Sequence, residues 1–173
     1  MELLLEITDK DTNNGEIERF DKPYRLRKAV RGVVINDKNE IALEFVSKHN
    51  YHKLPGGGVE DHETIEQALR REVREEAGCE IEIGDAIGII IEYRNKIDKL
   101  QINYCYLAKI RGELSKPQFD KEEIENQFES LWVPIDQAID FLEQDNPTTY
   151  DGKFIVKRDL TLLKKAKELI LKS

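Results

Sequence analysis

Cysteine is scarce in this chain, with only Cys79 and Cys105 among 173 residues. Two such residues, one at a helix end and one in a strand pattern, read as reduced core positions rather than a disulfide framework, which suits the cytoplasm. Histidine is nearly as rare. His49, His52 and His62 have neither a cysteine cluster nor a helical His-x3-His spacing beside them, which argues against a zinc site. Long apolar runs are missing: none reaches the length that crosses a bilayer, and Met1-Glu2-Leu3 lacks the basic region of a secretory signal. Basic excess is missing as well. A net charge of −8 and a pI near 5.1 argue against general nucleic-acid binding. A polyphosphate would have to approach through cations or a local basic patch. Repeats and low-complexity linkers are absent too.

What is present is a highly charged globular composition, 39% hydrophobic and 36% charged, long enough for one domain with a real core. Its centre is the run from Leu54-Pro55-Gly56-Gly57-Gly58 to Gly78-Cys79. Thr64 and Gln67 have the spacing of a capping box and predict a helix beginning there. Gly78 supplies a left-handed stop. At about 100° per residue, Ile65, Ala68, Leu69, Val73 and Ala77 form one apolar stripe. Glu66, Gln67, Arg70, Arg71 and Arg74 take the solvent side, where Glu66–Arg70 and Arg71–Glu75 have the spacing of helical ion pairs. Glu72 and Glu76 fall within the stripe and Glu75 beside it. Carboxylates on an inward face need a partner or a metal. The helix offers Glu72 and Glu76 no base at i±4, and a divalent cation would turn their mutual repulsion into attraction.

Gly57, Glu63, Arg71-Glu72-Val73, Glu75-Glu76 and Gly78 stand at every fixed spacing of the Nudix box, which this stretch resembles. Cys79 replaces the final aliphatic residue, and buried cysteine behaves as a small hydrophobe. His62 stands where the family usually has glycine, a position a histidine tolerates if its φ is positive. The resemblance implies an α/β fold of the Nudix α/β/α sandwich type, a mixed sheet between helices. It also implies an enzyme that hydrolyses phosphoric anhydrides of nucleoside diphosphate derivatives with Mg²⁺ or Mn²⁺. Hard oxygens suit such ions, and the resemblance assigns Glu72, Glu75, Glu76 and the Gly56 carbonyl as ligands. Arg71 is expected to orient the glutamates and Glu63 to brace the loop. Family members often recruit one more carboxylate close before a tryptophan. Among Glu122, Glu123, Glu125 and Glu129, ahead of Trp132, Glu129 is the choice, with Glu125 on a lid-like loop as the rival.

Residues 1–25 read as an N-terminal extension of the same domain and residues 26–173 as the Nudix domain proper. Leu3–Ile7 is a short apolar run. Asn14-Gly15 signals a hairpin with a returning strand over 16–20, an edge element or an arm for a homodimer. Arg25, Arg27, Lys28 and Arg31 form a basic cluster, either a solvated edge or a phosphate-facing one. Strands are expected over 29–35, 41–46, 80–92, 100–110 and 128–133. Helices are expected from Pro134 to about Glu143 and in the tail. Tyr51, His52, Tyr104 and Tyr106 are candidates for stacking on a base or, equally, for plain wall and turn roles. The substrate expected is a small nucleotide, a nucleoside triphosphate or its oxidised form. The alternatives are ADP-ribose or dinucleoside polyphosphates, or a nucleotide-binding module without catalysis. Neither the proline nor the tyrosine marker of those subclasses appears at Asn95-Lys96-Ile97. The intact glutamates weigh against the non-catalytic option, and the acidic balance gives RNA-end hydrolysis no support.

Overall fold

In the computed structural model, which describes residues 1–15, 17 and 22–172, the apolar runs become strands and the carboxylate-bearing amphipathic stretch becomes a helix. The order is β1 (Leu3–Thr8), β2 (Arg25–Ile35), β3 (Glu40–Val46), β4 (Tyr51–Lys53), α1 (Ile65–Ala77), β5 (Glu80–Arg94), β6 (Lys99–Arg111), α2 (Lys121–Glu125), β7 (Phe128–Pro134), α3 (Ile135–Gln144) and α4 (Tyr150–Ile170). The sheet runs β1-β5-β6-β2-β3-β4, with β7 on β3. It mixes parallel pairs (β1 with β5, β2 with β6) and antiparallel ones (β5 with β6, β3 with β7). Two apolar clusters lie on its two faces. Val30, Val34, Ala42, Leu69, Val73 and Ile81 join α1 to one face. Val33, Leu43, Ile90, Phe154, Leu162 and Leu163 join α3 and α4 to the other. This is the expected α/β/α sandwich. Strands covered on both faces read as near-continuous apolar runs, as β2 does over 29–35 apart from Arg31.

β2 and β3 pair only at Ile35–Ile41 and then diverge. β4 continues along β3, and the chain after it crosses to β2. Gly32 N–H donates to the Pro55 carbonyl (3.0 Å), Val30 N–H to the Gly57 carbonyl (2.9 Å) and Val59 N–H to the Lys28 carbonyl (3.0 Å). The glycine loop is thus stitched along β2 as an irregular strand. Gly56 has φ 137°, and a Cβ there would sit 2.2 Å from the Val30 carbonyl oxygen, so only glycine fits.

The structure adds to the sequence reading in three places. Leu3–Thr8 pairs in parallel with β5, Ile7 opposite Glu92, and is followed by a short 3-10 turn at 10–12. The returning strand read over 16–20 lies, apart from Ile17, outside the described residues. Tyr51–Lys53 forms a strand too short to carry a periodic signal. The acidic stretch before β7 contains α2, capped by Asp120, whose side chain accepts from Glu123 N–H (2.8 Å).

Polar residues fasten α4 to the sheet. Arg158 is fully buried; its Nε donates to Asp159 (2.6 Å) and its Nη1 to Glu92 (3.1 Å). Glu92 also takes Arg94 at 2.5 Å. Burial opposes the charge of Glu92, but Arg158 and Arg94 outweigh it and hold the carboxyl below its usual range. Removing Arg158 would leave the buried Asp159 without its cation and Glu92 with Arg94 alone. Arg158→Met is therefore expected to cost about 3–5 kcal/mol, the range for breaking a buried pair from one side. Urea unfolding checks this, and a loss under about 1 kcal/mol would put the network in the class of surface pairs.

Candidate active site

The sequence builds α1 as expected. Thr64 Oγ1 accepts from Gln67 N–H (3.2 Å), Gln67 Oε1 accepts from Thr64 N–H (2.8 Å), and Gly78 stops the helix at φ 68°. Glu76 is buried, and Glu72 is 12% exposed at its side chain. His62 is not among the residues with positive φ, so the loop there makes no demand for glycine.

The loop and the helix meet through these glutamates. Gly56 N–H donates to Glu76 Oε2 (2.5 Å). A Cβ on Gly57 would fall 2.3 Å from Glu72 Oε1, so the loop can lie against that carboxylate only as glycine. The Gly56 carbonyl accepts none of the hydrogen bonds among the described residues, whereas its neighbours at Pro55 and Gly57 bond to β2. Arg71 closes the other side as a fork. Its Nε and Nη2 bind Glu63 (2.7 and 2.9 Å), Nη1 binds Glu72 (2.8 Å), and Nη2 also holds the Gly58 carbonyl (3.0 Å). Those bonds favour the carboxylate form of Glu63 and bring its pKa down to about 2. Of the two helical pairs read in the sequence, Arg71–Glu75 forms at 3.3 Å. Arg70 instead caps the Ile81 carbonyl, and no Glu66–Arg70 pair appears among the described residues.

Glu72 has Arg71 of its own helix, whereas the cationic neighbour of Glu76 comes from outside α1. Lys53 of β4 reaches across, binding Glu76 Oε1 at 2.7 Å and also Glu44 of β3. Burial opposes the charge of Lys53, yet the two carboxylates outweigh it and keep it protonated. For Glu76, burial acts against ionisation, but Lys53 and the Gly56 N–H hold it ionised. Burial and then the charge of Glu76 push Glu44 up, and Glu44 Oε1 is enclosed without a partner among the described residues. Glu72 is raised for the same two reasons.

Of the carboxylates ahead of Trp132, Glu123 and not Glu129 lies against Glu76. β7 pairs with β3 so that Trp132 faces Ala42 and Ser130 faces Glu44, while Glu129 lies opposite Phe45. Alternation therefore turns Glu129 to the α3 face, away from Glu44 and Glu76. Glu129 and Trp132 are three residues apart, an odd step that puts them on opposite faces of β7. The loop before α2 is tied to the end of α1 by Ser115 N–H to the Gly78 carbonyl (2.7 Å) and Gln118 N–H to the Glu75 carbonyl (2.6 Å). This brings Glu123 against Glu76. Burial, then the charge of Glu76, pushes Glu123 up to about 8 despite a bond from Asp120 N–H. Glu75 is 43% exposed and meets only Arg71 among the described ion pairs.

Sequence reading also missed what steadies the loop. Asp159 of α4 accepts from Leu54 N–H (2.9 Å). Asp145 accepts from His52 N–H (2.6 Å) and holds the ring, which is stacked between Phe45 and Phe141 at 4.7 and 4.8 Å. His52 has both faces occupied and Tyr51 is buried, so neither presents a stacking surface. Among the described residues no three His, Cys, Asp or Glu side chains stand ready in coordinating geometry. The donors nevertheless suit a hard cation. Glu44, Glu72, Glu76 and Glu123 crowd one loop, answered by Lys53 and by an Arg71 already shared with Glu63.

The family model of the NUDIX domain matches residues 25–153. The chain belongs to the Nudix hydrolase family. It is 30% identical over 138 residues to "Nudix hydrolase 13, mitochondrial" of Arabidopsis thaliana, covering 74% of this chain and 67% of that protein. It is 33% identical to an RNA pyrophosphohydrolase of Orientia tsutsugamushi (54% and 58% covered). It is 31% identical to human "8-oxo-dGDP phosphatase NUDT18" (65% and 35%). The chain thus spans little more than half, or less, of the second and third relatives. A NUDIX hydrolase structure from Nitrosomonas europaea superposes with a TM-score of 0.62 at 19% identity, covering 85% of this chain and 90% of that one. This Nudix enzyme has no helix, among its described residues, long and apolar enough to cross a membrane.

A raised carboxyl makes stability depend on pH. Below the ordinary value of 4.5 Glu123 is protonated folded and unfolded; by about 8 the unfolded chain has lost the proton that the folded one retains. The folded state is therefore penalised increasingly as pH rises through that window. Glu123→Gln, which keeps the cap, is expected to gain melting temperature over the parent in chelator at pH 8 and nothing at pH 4. An equal gain at both pH values would contradict the placement of Glu123 against Glu76.

Proposed function

We propose that this Nudix enzyme hydrolyses the phosphoric anhydride of a small nucleotide, a nucleoside triphosphate or its oxidised form, with Mg²⁺ or Mn²⁺. The observation that carries the reading is the carboxylate excess at the crossing of the glycine loop and α1. Glu72, Glu76 and Glu75, with the Gly56 carbonyl, would hold the cation. When bound, such an ion neutralises anhydride charge and acidifies a water. Arg71 orients Glu72 and anchors the loop at Gly58. Glu63 fixes Arg71. Asp159 and Glu76 fix the backbone of the loop at Leu54 and Gly56, so its carbonyls need no reorganisation. Glu123 takes the place first given to Glu129, as a carboxyl able to hold a proton beside Glu76.

The small-nucleotide choice is supported by the name of the human relative and by the acidic balance of the chain. Residues 1–25 are proposed as an extension built onto residues 26–173. A reducing compartment such as the cytoplasm accords with the free, buried Cys79 and Cys105.

The test is a panel of nucleoside triphosphates, 8-oxo-dGTP, ADP-ribose, dinucleoside polyphosphates and 5′-triphosphorylated RNA, reading phosphate against pyrophosphate release. Glu72→Gln and Glu76→Gln are each expected to lower turnover about a hundredfold or more while the fold persists, and excess chelator to abolish it. Near-normal rates in both variants would reduce the box to a structural role. Preferential cleavage of ADP-ribose or a dinucleoside polyphosphate would overturn the substrate choice alone.

A further inference from the structure

Among the described residues, the buried cations are matched by carboxylates, with one exception. Lys53 has Glu44 and Glu76, Arg94 has Glu92 and Asp151, and Arg158 has Glu92 and Asp159. Arg31 of β2 is only 5% exposed, and among the described residues no carboxylate lies within ion-pair distance of it. Its Nη1 donates to two backbone carbonyls, Val30 and, at 3.4 Å, Gly57, while its Nε is enclosed without any partner. A buried charge left in this state is costly unless something pairs with it.

Arg27 stands on the same face of β2, two strand alternations away, with only Ala29 between them. It too lacks a carboxylate within ion-pair distance among the described residues; its Nη1 donates to the Gln101 side chain at 2.6 Å. Its Nη2 lies beside Gly58, where a Cβ would come within 2.9 Å. Arg27 is exposed, so the pair opens to solvent through it. The missing Cβ of Gly57 points at Glu72 and that of Gly58 at Arg27, so the loop separates a carboxylate side from a guanidinium side. Lys28, by alternation, belongs to the other face of β2.

We infer that Arg31 and Arg27 form an oxyanion subsite beside Gly57 and Gly58, which takes a phosphate group of the substrate across the loop from the carboxylates. The identity of the anion rests on the anhydride-hydrolase reading; the existence of the subsite does not. Two guanidinium forks present the planar donors that phosphate oxygens take up in pairs. An anion there would complete the partners of Arg31. It would also place the substrate so that its charge is met on one side by arginine and on the other by whatever the carboxylates hold.

Inorganic pyrophosphate in the presence of chelator, at fixed ionic strength, is the probe. Neither metal nor turnover then contributes. Calorimetry is expected to show binding to the parent chain, weakened about tenfold or more in Arg27→Gln and lost in Arg31→Met, the losses typical of bonds to a charged group. Lys28→Gln is expected to bind as the parent does. Arg31→Lys, which keeps charge without the fork, is expected to fall between. If Arg31→Met does not fold by circular dichroism, Arg27→Gln and Arg31→Lys carry the comparison. No binding by the parent, or an equal loss in Lys28→Gln, would overturn the subsite. Pyrophosphate binding through Arg27 in a chain that hydrolyses nothing would overturn the enzymatic reading and leave the subsite standing.

Discussion

The structure depends on the backbone pairing between β2 and the loop that follows β4. β2 parts from β3 after a single bridge, and without a new partner its edge would leave buried peptide groups unbonded. The stretch from Pro55 to Val59 supplies that partner through three hydrogen bonds. The pairing is possible because Gly56 brings no side chain against the Val30 carbonyl and Gly57 none against Glu72. The geometry of the candidate site hangs on this seam. It fixes the height of the loop over α1, aims the Gly56 N–H at Glu76, and leaves the Gly56 carbonyl without an internal donor among the described residues. Asp159 from α4 and Arg71 from α1 then hold the loop at Leu54 and Gly58, so both helical layers meet at one segment.

Electrostatics explains why such rigid anchoring is needed. Glu44, Glu76 and Lys53 are all buried, and a buried charge is tolerated only in fixed, well-bonded geometry. Lys53 stands between Glu44 and Glu76, while Glu72 and Glu123 are both pushed toward their protonated forms by burial and then by Glu76. A site of this kind is strained by like charge and relieved by an added cation. On the far side of the loop the imbalance has the opposite sign, with Arg31 and Arg27 short of anions. A substrate that is a polyanion carried with a divalent metal answers both imbalances at once.

Much of this was legible in the sequence because it is local. Thr64 and Gln67 close their cap within one turn and Gly78 ends the helix by its own φ, so α1 could be bounded from its residues alone. The inward placement of Glu72 and Glu76 followed from helical period, and the box spacing pointed to the sandwich. What was hidden depends on contacts distant in sequence. Lys53 reaches Glu76 over 23 positions and Asp159 reaches Leu54 over 105, and no periodicity encodes either. Glu129 was favoured for its proximity to Trp132 in sequence, but the pleat puts the two on opposite faces of β7. Asn14-Gly15 suggested a hairpin, and the apolar run before it found its partner in β5, some eighty residues on, where a parallel edge was free.

The central claim is that the pinned loop and the inward glutamates together make a cation site. The most direct measurement is an anomalous difference map from crystals grown with Mn²⁺. The expected result is a peak in contact with the Gly56 carbonyl oxygen and the carboxylates of Glu72 and Glu76, with Lys53 drawn away from Glu76. An unperturbed Lys53–Glu76 pair with no manganese at the loop would contradict it.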